Sequence, residues 1–435
     1  MRSVSLLSAL TAVTAVQATP TKRQSSITPI TVKGNAFFAG NTRFYIRGVD
    51  YQPGGSSANL DPLANPAICK PDIEKFVKLG INVIRVYSTD NSLDHDECMN
   101  ELADNGIYVV LDANNPLYSI NRADPGPSYN AAYLQSVFAT IDAFAKYPNT
   151  MAFFSGNEVI HDEKETTLSA RYVKAVTRDM RQYIRERNYR FIPVGYSAAD
   201  VSTNRMQTAA YFNCGTDDER SDFFAFNDYS WCTSNYIISG WDKKVQNFTD
   251  YGLPIFLSEY GCIQNTRDFG ELESLMHSNM TGVYSGGLMY EYTYEANKFG
   301  IVTIADKAQT GPRKELPEFA AFQKALKDFP APSGDGGYTP TQKSQPCPAE
   351  DDHWMVTSTR LPALPEGAKA YFKDGAGKGP GLKGPGSHFA GGASTEDAEP
   401  GSGGSSSQNA GAMMGPSVFV TGGALALTLF GALML

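Results

Sequence analysis

The chain has 435 residues, a formal charge of −9, 42% apolar composition and six cysteines. Its acidic balance argues against nucleic acid or another polyanion as partner. Five histidines, with no CxxC or HExxH pattern, give no signature of a metal site or a histidine-based triad, so neither metal nor cofactor is expected.

The first element in chain order is Met1-Arg2 followed by an apolar stretch from Val4 to Val16. With the small-residue site Val16-Gln17-Ala18 it reads as a signal peptide over residues 1–18, and Lys22-Arg23 offers a second processing point. Ile30 to Val32 and Ala36 to Phe38, flanking Lys33-Gly34-Asn35, predict a hairpin. Eight apolar runs then recur: Phe44 to Gly48, Val83 to Tyr87, Tyr108 to Asp112, Met151 to Glu158, Phe191 to Tyr196, Phe223 to Tyr229, Pro254 to Glu259 and Gly287 to Tyr292. Helical periods lie between several of them. Asp72 to Leu79 and Asp94 to Asn105 are short examples; Leu168, Tyr172, Val176, Met180 and Ile184 form the clearest stripe.

Eight short runs alternating with helices over a stretch of this length predict an α/β fold of the (β/α)₈ TIM-barrel type, with the hairpin ahead of it. A doubly wound open sheet is the rival. It would bring a GxGxxG loop after its first strand, whereas Val49-Asp50-Tyr51-Gln52-Pro53-Gly54-Gly55 has no such spacing. From about Gly334 the pattern gives way to Gly, Pro and Ser, and Gly375 to Gly403 reads as linker. The catalytic domain is therefore drawn at 24–347 and a low-complexity, disordered linker at 348–409. Val418 to Leu435 is almost wholly apolar and follows a small-residue site and a short spacer, the order of a glycosylphosphatidylinositol signal. Attachment is expected at Asn409, with Ser407 or Gly411 as alternatives and 410–435 removed; a C-terminal membrane span is the rival. Export makes three disulfides among Cys69, Cys98, Cys214, Cys232, Cys262 and Cys347 the default, with their pairing open. Asn247-Phe248-Thr249 and Asn279-Met280-Thr281 are glycosylation sequons.

Two of the runs stop at a carboxylate, Glu158 in Phe153-Phe154-Ser155-Gly156-Asn157-Glu158 and Glu259 in Ile255-Phe256-Leu257-Ser258-Glu259. In a barrel both emerge at the C-terminal face, where the chemistry sits. A retaining glycosidase needs such a pair: one acid that protonates the leaving oxygen and, roughly 5 to 5.5 Å away, one nucleophile. In these runs the chain resembles the retaining glycosidases of the large barrel clan, and the resemblance implies that Glu158 is the acid/base, Glu259 the nucleophile, and Asn157, in the Asn-Glu pair typical of that clan, a donor to the sugar 2-hydroxyl. Tyr229, at the end of the sixth run, is placed to donate to Glu259 and keep it ionised. Tyr87, Asp112, Tyr290 and Tyr292 at strand ends, and Gln52 beyond the first, are further candidates. On local sequence Asp200 and Arg205 read as a helix cap and a solvent-facing arginine.

The motifs Gly48-Val49-Asp50-Tyr51-Gln52-Pro53-Gly54, Ile84-Arg85-Val86-Tyr87, Gly156-Asn157-Glu158, Pro193-Val194-Gly195-Tyr196-Ser197, Ser258-Glu259-Tyr260-Gly261-Cys262 and Ser285-Gly286-Gly287-Leu288-Met289-Tyr290-Glu291-Tyr292 occur in that order. In them the chain resembles glycoside hydrolase family 72, the glycosylphosphatidylinositol-anchored β-1,3-glucanosyltransferases of fungal cell walls, over roughly residues 30–347. The resemblance implies cleavage of an internal β-1,3 bond and transfer of the new reducing end to the non-reducing end of another glucan. It also implies donor binding by Tyr87, Asn157 and Tyr290, and an acceptor side formed by Glu158, Asp200 and Arg205. It further implies the pairs Cys69–Cys98, Cys214–Cys347 and Cys232–Cys262, and a monomer on the outer face of the plasma membrane and in the wall. No cysteine follows Cys347, so the cysteine-rich glucan-binding module of some members is not expected. The alternatives are an endo-β-1,3-glucanase, in which water replaces the acceptor, and a non-catalytic glucan-binding wall protein. Retention of Glu158, Asn157 and Glu259 together argues against the second.

Overall fold

The computed structural model describes residues 27–399 apart from 233–234 and 357–358. Ala18, Lys22, Arg23, Ser407, Asn409 and Gly411, and with them the expected signal and anchor sites, lie outside the described residues. Among the described residues no helix is long and apolar enough to cross a membrane.

Eight parallel strands close a barrel: β1 (Ile46–Asp50), β2 (Val83–Val86), β3 (Tyr108–Asp112), β4 (Thr150–Asn157), β5 (Val194–Ala199), β6 (Phe223–Asp228), β7 (Ile255–Tyr260) and β8 (Tyr284–Met289). Each pairs with the next in chain order, and β8 returns to β1 in the register Gly286↔Ile46 to Met289↔Val49. The runs read as near-continuously apolar because both faces of a parallel sheet are covered. One face fills the barrel with Val83, Val110, Phe154, Phe223, Phe256 and Leu288, and the other packs under the helices.

The expected hairpin gains a third strand. Ile30–Lys33, Ala36–Ala39 and Thr42–Phe44 form an antiparallel sheet that closes the N-terminal mouth. Phe37 seals it, with its ring 5.8 Å from Phe223 and 5.9 Å from Phe256. With that end plugged by apolar side chains, only the C-terminal mouth is left for polar chemistry.

The long helix Ala170–Glu186 buries Val173, Val176, Met180, Tyr183 and Ile184. The expected stripe is therefore rotated slightly. Leu168 lies in a preceding 3₁₀ turn and is exposed, because the helix starts only at Ala170 and the i, i+3, i+4 set begins at Val173.

The stretch expected to be a linker departs furthest from its reading. Residues 348–399, in their described parts, are a strap wrapped over the barrel's helices. Cys347 anchors its start to Cys214. Trp354 is fully buried with its ring 5.4 Å from Tyr211, and Leu361–Pro362 pairs antiparallel with Asp397–Ala398. Phe372 packs 5.4 Å from Phe138, the Ala376 N–H donates to the Tyr183 hydroxyl at 2.9 Å, and Asn130 donates to the Ser387 carbonyl at 2.7 Å. The glycines serve contact as well as looseness: a Cβ at Gly384 would lie 2.0 Å from the Tyr118 hydroxyl. Backbone lying this flat on a surface needs residues without side chains, and composition alone reads such a run as linker.

Disulfides join Cys69 to Cys98, Cys214 to Cys347 and Cys232 to Cys262. The last ties the loops after β6 and β7. Asn247 and Asn279 are both exposed.

Candidate active site

Glu259 sits near the end of β7 and is 7% exposed. Its Oε1 accepts from the Tyr87 hydroxyl at 2.8 Å and from Arg85 Nη1 at 3.3 Å; its Oε2 accepts from the Tyr229 hydroxyl at 2.5 Å. Burial pushes its pKa up to about 7; Arg85 pulls against that, the charge of Glu158 adds to it, and the two tyrosines lower it. Three donors converge on one carboxylate, which is the arrangement that favours its ionised form.

Glu158 follows the last residue of β4 and adopts φ +49°, in the left-handed region that a non-glycine residue rarely occupies. Its backbone N–H donates to the Ser197 carbonyl at 2.9 Å and its own carbonyl accepts from Arg122 at 2.5 Å. These bonds hold a backbone that would otherwise relax. The carboxylate Oε1 accepts from Asn227 Nδ2 at 2.9 Å. Among the described residues the Glu259 carboxylate thus has three charged or phenolic donors where that of Glu158 has one amide donor.

Asn157 uses its side-chain carbonyl to accept from Ser197 Oγ at 2.7 Å and Asn227 Nδ2 at 3.1 Å. No described residue accepts from its NH₂, which is left to donate into the cleft. Tyr290 is 9% exposed, with Phe299 5.4 Å and Tyr229 6.1 Å from its ring. Asp200 and Arg205, in the segment after β5, form an ion pair: Arg205 Nε donates to Asp200 Oδ1. Glu158, Asn157, Tyr87, Tyr229 and Tyr290 thus share one polar network or ring cluster around Glu259.

Three sequence candidates play other parts. Gln52 is 1% exposed, accepting from the N–H groups of Tyr87 and Ser88 at 3.1 and 3.0 Å and donating to the Leu60 carbonyl at 2.7 Å. These bonds fix the end of β2. Asp112 is 3% exposed and holds Arg85 by two hydrogen bonds, at 2.9 and 3.2 Å. Tyr292 is fully buried, donates to Asp72 Oδ1 at 2.7 Å and packs on Phe76 at 4.9 Å. Its placement as a possible sugar contact is corrected: the chain turns outward after Tyr290 and carries Tyr292 into the helix packing.

Sequence reasoning missed Arg85, Asn227 and Lys244. Arg85 interrupts the apolar run Val83-Ile84-Arg85-Val86, is wholly buried, and lies over the rings of Tyr87 and Phe154 at 4.2 and 4.6 Å. A guanidinium inside a barrel strand must have carboxylate partners, and that was the available signal.

A family model described as glucanosyltransferase matches residues 19–329. The chain is 62% identical over 378 residues to 1,3-beta-glucanosyltransferase gel1 of Aspergillus fumigatus, covering 86% of this chain and 82% of that one. The chain belongs to the glycoside hydrolase family 72 glucanosyltransferases. Within this family it is also 50% identical to 1,3-beta-glucanosyltransferase GAS5 of Saccharomyces cerevisiae, over 81% of this chain and 73% of that one. Its fold superposes with TM-score 0.71 and 35% identity on a mutant of Saccharomyces cerevisiae Gas2p solved with laminaritetraose and laminaripentaose, covering 78% of this chain and 75% of that one.

Proposed function

We propose that this chain is a retaining β-1,3-glucanosyltransferase that elongates β-1,3-glucan. The observation that carries the reading is the unequal carboxyl pair: among the described residues Glu259 is held by Arg85, Tyr87 and Tyr229, and Glu158 by Asn227. Support comes from family membership and from the relatives' names.

In this reading Glu158 gives its proton to the glycosidic oxygen as Glu259 attacks the anomeric carbon. The C–O bond breaks, the fragment carrying the new non-reducing end leaves, and the donor's other half stays as an ester on Glu259. Tyr87, Asn157 and Tyr290 hold the donor, with the free Asn157 NH₂ donating to the 2-hydroxyl as charge develops. Glu158, now ionised, takes a proton from the hydroxyl at the non-reducing end of an acceptor glucan placed by Asp200 and Arg205. That oxygen displaces Glu259, and two inversions give net retention. A monomer secreted through a signal peptide ending at Ala18, or processed after Arg23, and anchored at Asn409 to the outer face of the plasma membrane fits a polymer substrate of the wall. The catalytic unit is redrawn to include the strap.

Incubation with a reduced laminari-oligosaccharide and sizing of the products tests the reading. Products longer than the substrate support transfer. Only shorter products support an endo-β-1,3-glucanase, and none supports a glucan-binding scaffold.

A further inference from the structure

One charged side chain beside the acceptor side has no part in the mechanism above. Lys244 lies in the helix Trp241–Phe248, and its side chain is 10% exposed. Its Nζ donates to Asp200 Oδ2 at 2.6 Å, to Asp228 Oδ2 at 2.5 Å and to Ser230 Oγ at 3.1 Å. An ammonium has three donors, and all are used. Asp200 Oδ1 meanwhile accepts from Arg205 Nε. Asp200 is therefore clamped between two cations, one on each oxygen. Burial would raise its pKa, but Arg205 and Lys244 outweigh that and hold it below the usual carboxylate range. Among the described residues neither outer nitrogen of Arg205 makes a hydrogen bond, so the fork of its guanidinium is left for hydroxyl groups.

We propose that Lys244 is a positioning residue for the acceptor: by tying Asp200 to the end of β6 it fixes the Arg205 fork that receives the incoming glucan, and so sets the partition between transfer and hydrolysis. This rests on the glucanosyltransferase reading. Without Lys244 the Asp200 carboxylate is held at one oxygen only, and the Arg205–Asp200 pair swings as a unit. The acceptor then pays for ordering it. Water attacking the ester needs no such fork.

The rival explanation is that Lys244 acts through Tyr229, which lies between Asp228 and Ser230 in the chain. The two make opposite predictions. Loss through Tyr229 weakens Glu259, so transfer and hydrolysis fall together; loss through Asp200 lowers their ratio.

The test compares wild type, Lys244→Met, Lys244→Arg and the double variant Lys244→Met/Asp228→Asn, with a reduced laminari-oligosaccharide as donor and a fluorescently labelled one as acceptor. Lys244→Met leaves Asp200 and Asp228 facing each other with no cation between them. The double variant removes one of those charges, so it carries the test if the single variant does not fold. The expected result is a transfer-to-hydrolysis ratio about ten-fold or more below wild type in Lys244→Met and in the double variant. A higher half-saturating acceptor concentration and partial recovery in Lys244→Arg complete it. A wild-type ratio in Lys244→Met, a ratio restored in the double variant, or equal loss of both reactions with a displaced pH profile overturns this inference alone. A wild type that only hydrolyses overturns the glucanosyltransferase reading, and this inference with it.

Discussion

Replacing Tyr229 by Phe removes one oxygen from the site, the hydroxyl that donates to Glu259 Oε2 at 2.5 Å. The ring stays, and with it the edge contacts to Tyr290 and Phe299 at 6.1 and 5.4 Å. A hydrogen bond to a charged group is worth roughly 1.5–3 kcal/mol, and about 1.4 kcal/mol corresponds to one pKa unit. The bond stabilises the ionised form, so its loss moves the Glu259 pKa upward from about 7 by about one to two units. The acid limb of kcat/KM against pH reports the free enzyme's essential base. In Tyr229→Phe that limb is expected to move to higher pH by the same amount. Activity on a laminari-oligosaccharide well below the limb then falls about 10- to 100-fold, while activity on the plateau falls less. An acid limb left in place would refute the view that Tyr229 keeps Glu259 ionised.

Glu158→Gln and Glu259→Gln should each abolish turnover of a laminari-oligosaccharide with the fold kept, since each change preserves volume and removes only the titrating group; near-wild-type turnover in either would remove it from the mechanism. Glu259 has a folded pKa of about 7, above its ordinary 4.5, so its contribution to stability is fully present below pH 4.5 and is lost as pH rises through 7. Glu259→Gln should therefore melt above wild type at pH 8, by an amount corresponding to about 1–3 kcal/mol, and the difference should close below pH 4.5. Trp354→Ala should cost roughly 3–5 kcal/mol in denaturant unfolding, as for a core aromatic; a change within about 0.5 kcal/mol would mean that the strap is the loose linker its composition suggests.

The barrel was legible because its strands are buried on both faces and so stand out as apolar runs. Every run gave a strand, though β5 begins at Val194 where the run begins at Phe191, and β8 ends at Met289 where the run reaches Tyr292. The errors fall at ends: the exposed Phe191 extends the apolar pattern ahead of β5, whose bonds to β4 start at the Pro193 carbonyl, which accepts from the Phe153 N–H at 2.9 Å. Glu158 and Glu259 were visible because a carboxylate closing a buried strand is costly unless it serves a purpose. Arg85 and Lys244 were not. Their meaning lies in partners far along the chain, Asp112 and Glu259 for one, Asp200 and Asp228 for the other. Tyr292 shows the converse limit: β8 ends at Met289, so strand alternation no longer sets where Tyr290 and Tyr292 point, and Tyr292 is buried against Asp72 and Phe76. The strap was hidden because Gly384 and its neighbours achieve contact by lacking side chains, which apolar periodicity does not register.

The central claim is that Glu259 carries the half-chain between donor and acceptor. A laminari-oligosaccharyl fluoride with fluorine in place of the 2-hydroxyl tests it: Glu259 displaces the anomeric fluoride, and the electron-poor ester that forms breaks down slowly enough to be weighed. Mass spectrometry of the digested protein should place one oligosaccharide on the peptide containing Glu259. Added laminari-oligosaccharide acceptor should discharge that ester faster than buffer does, with an elongated product. A label on another residue, an intact protein with no label although the fluoride is consumed, or discharge indifferent to acceptor would contradict the account.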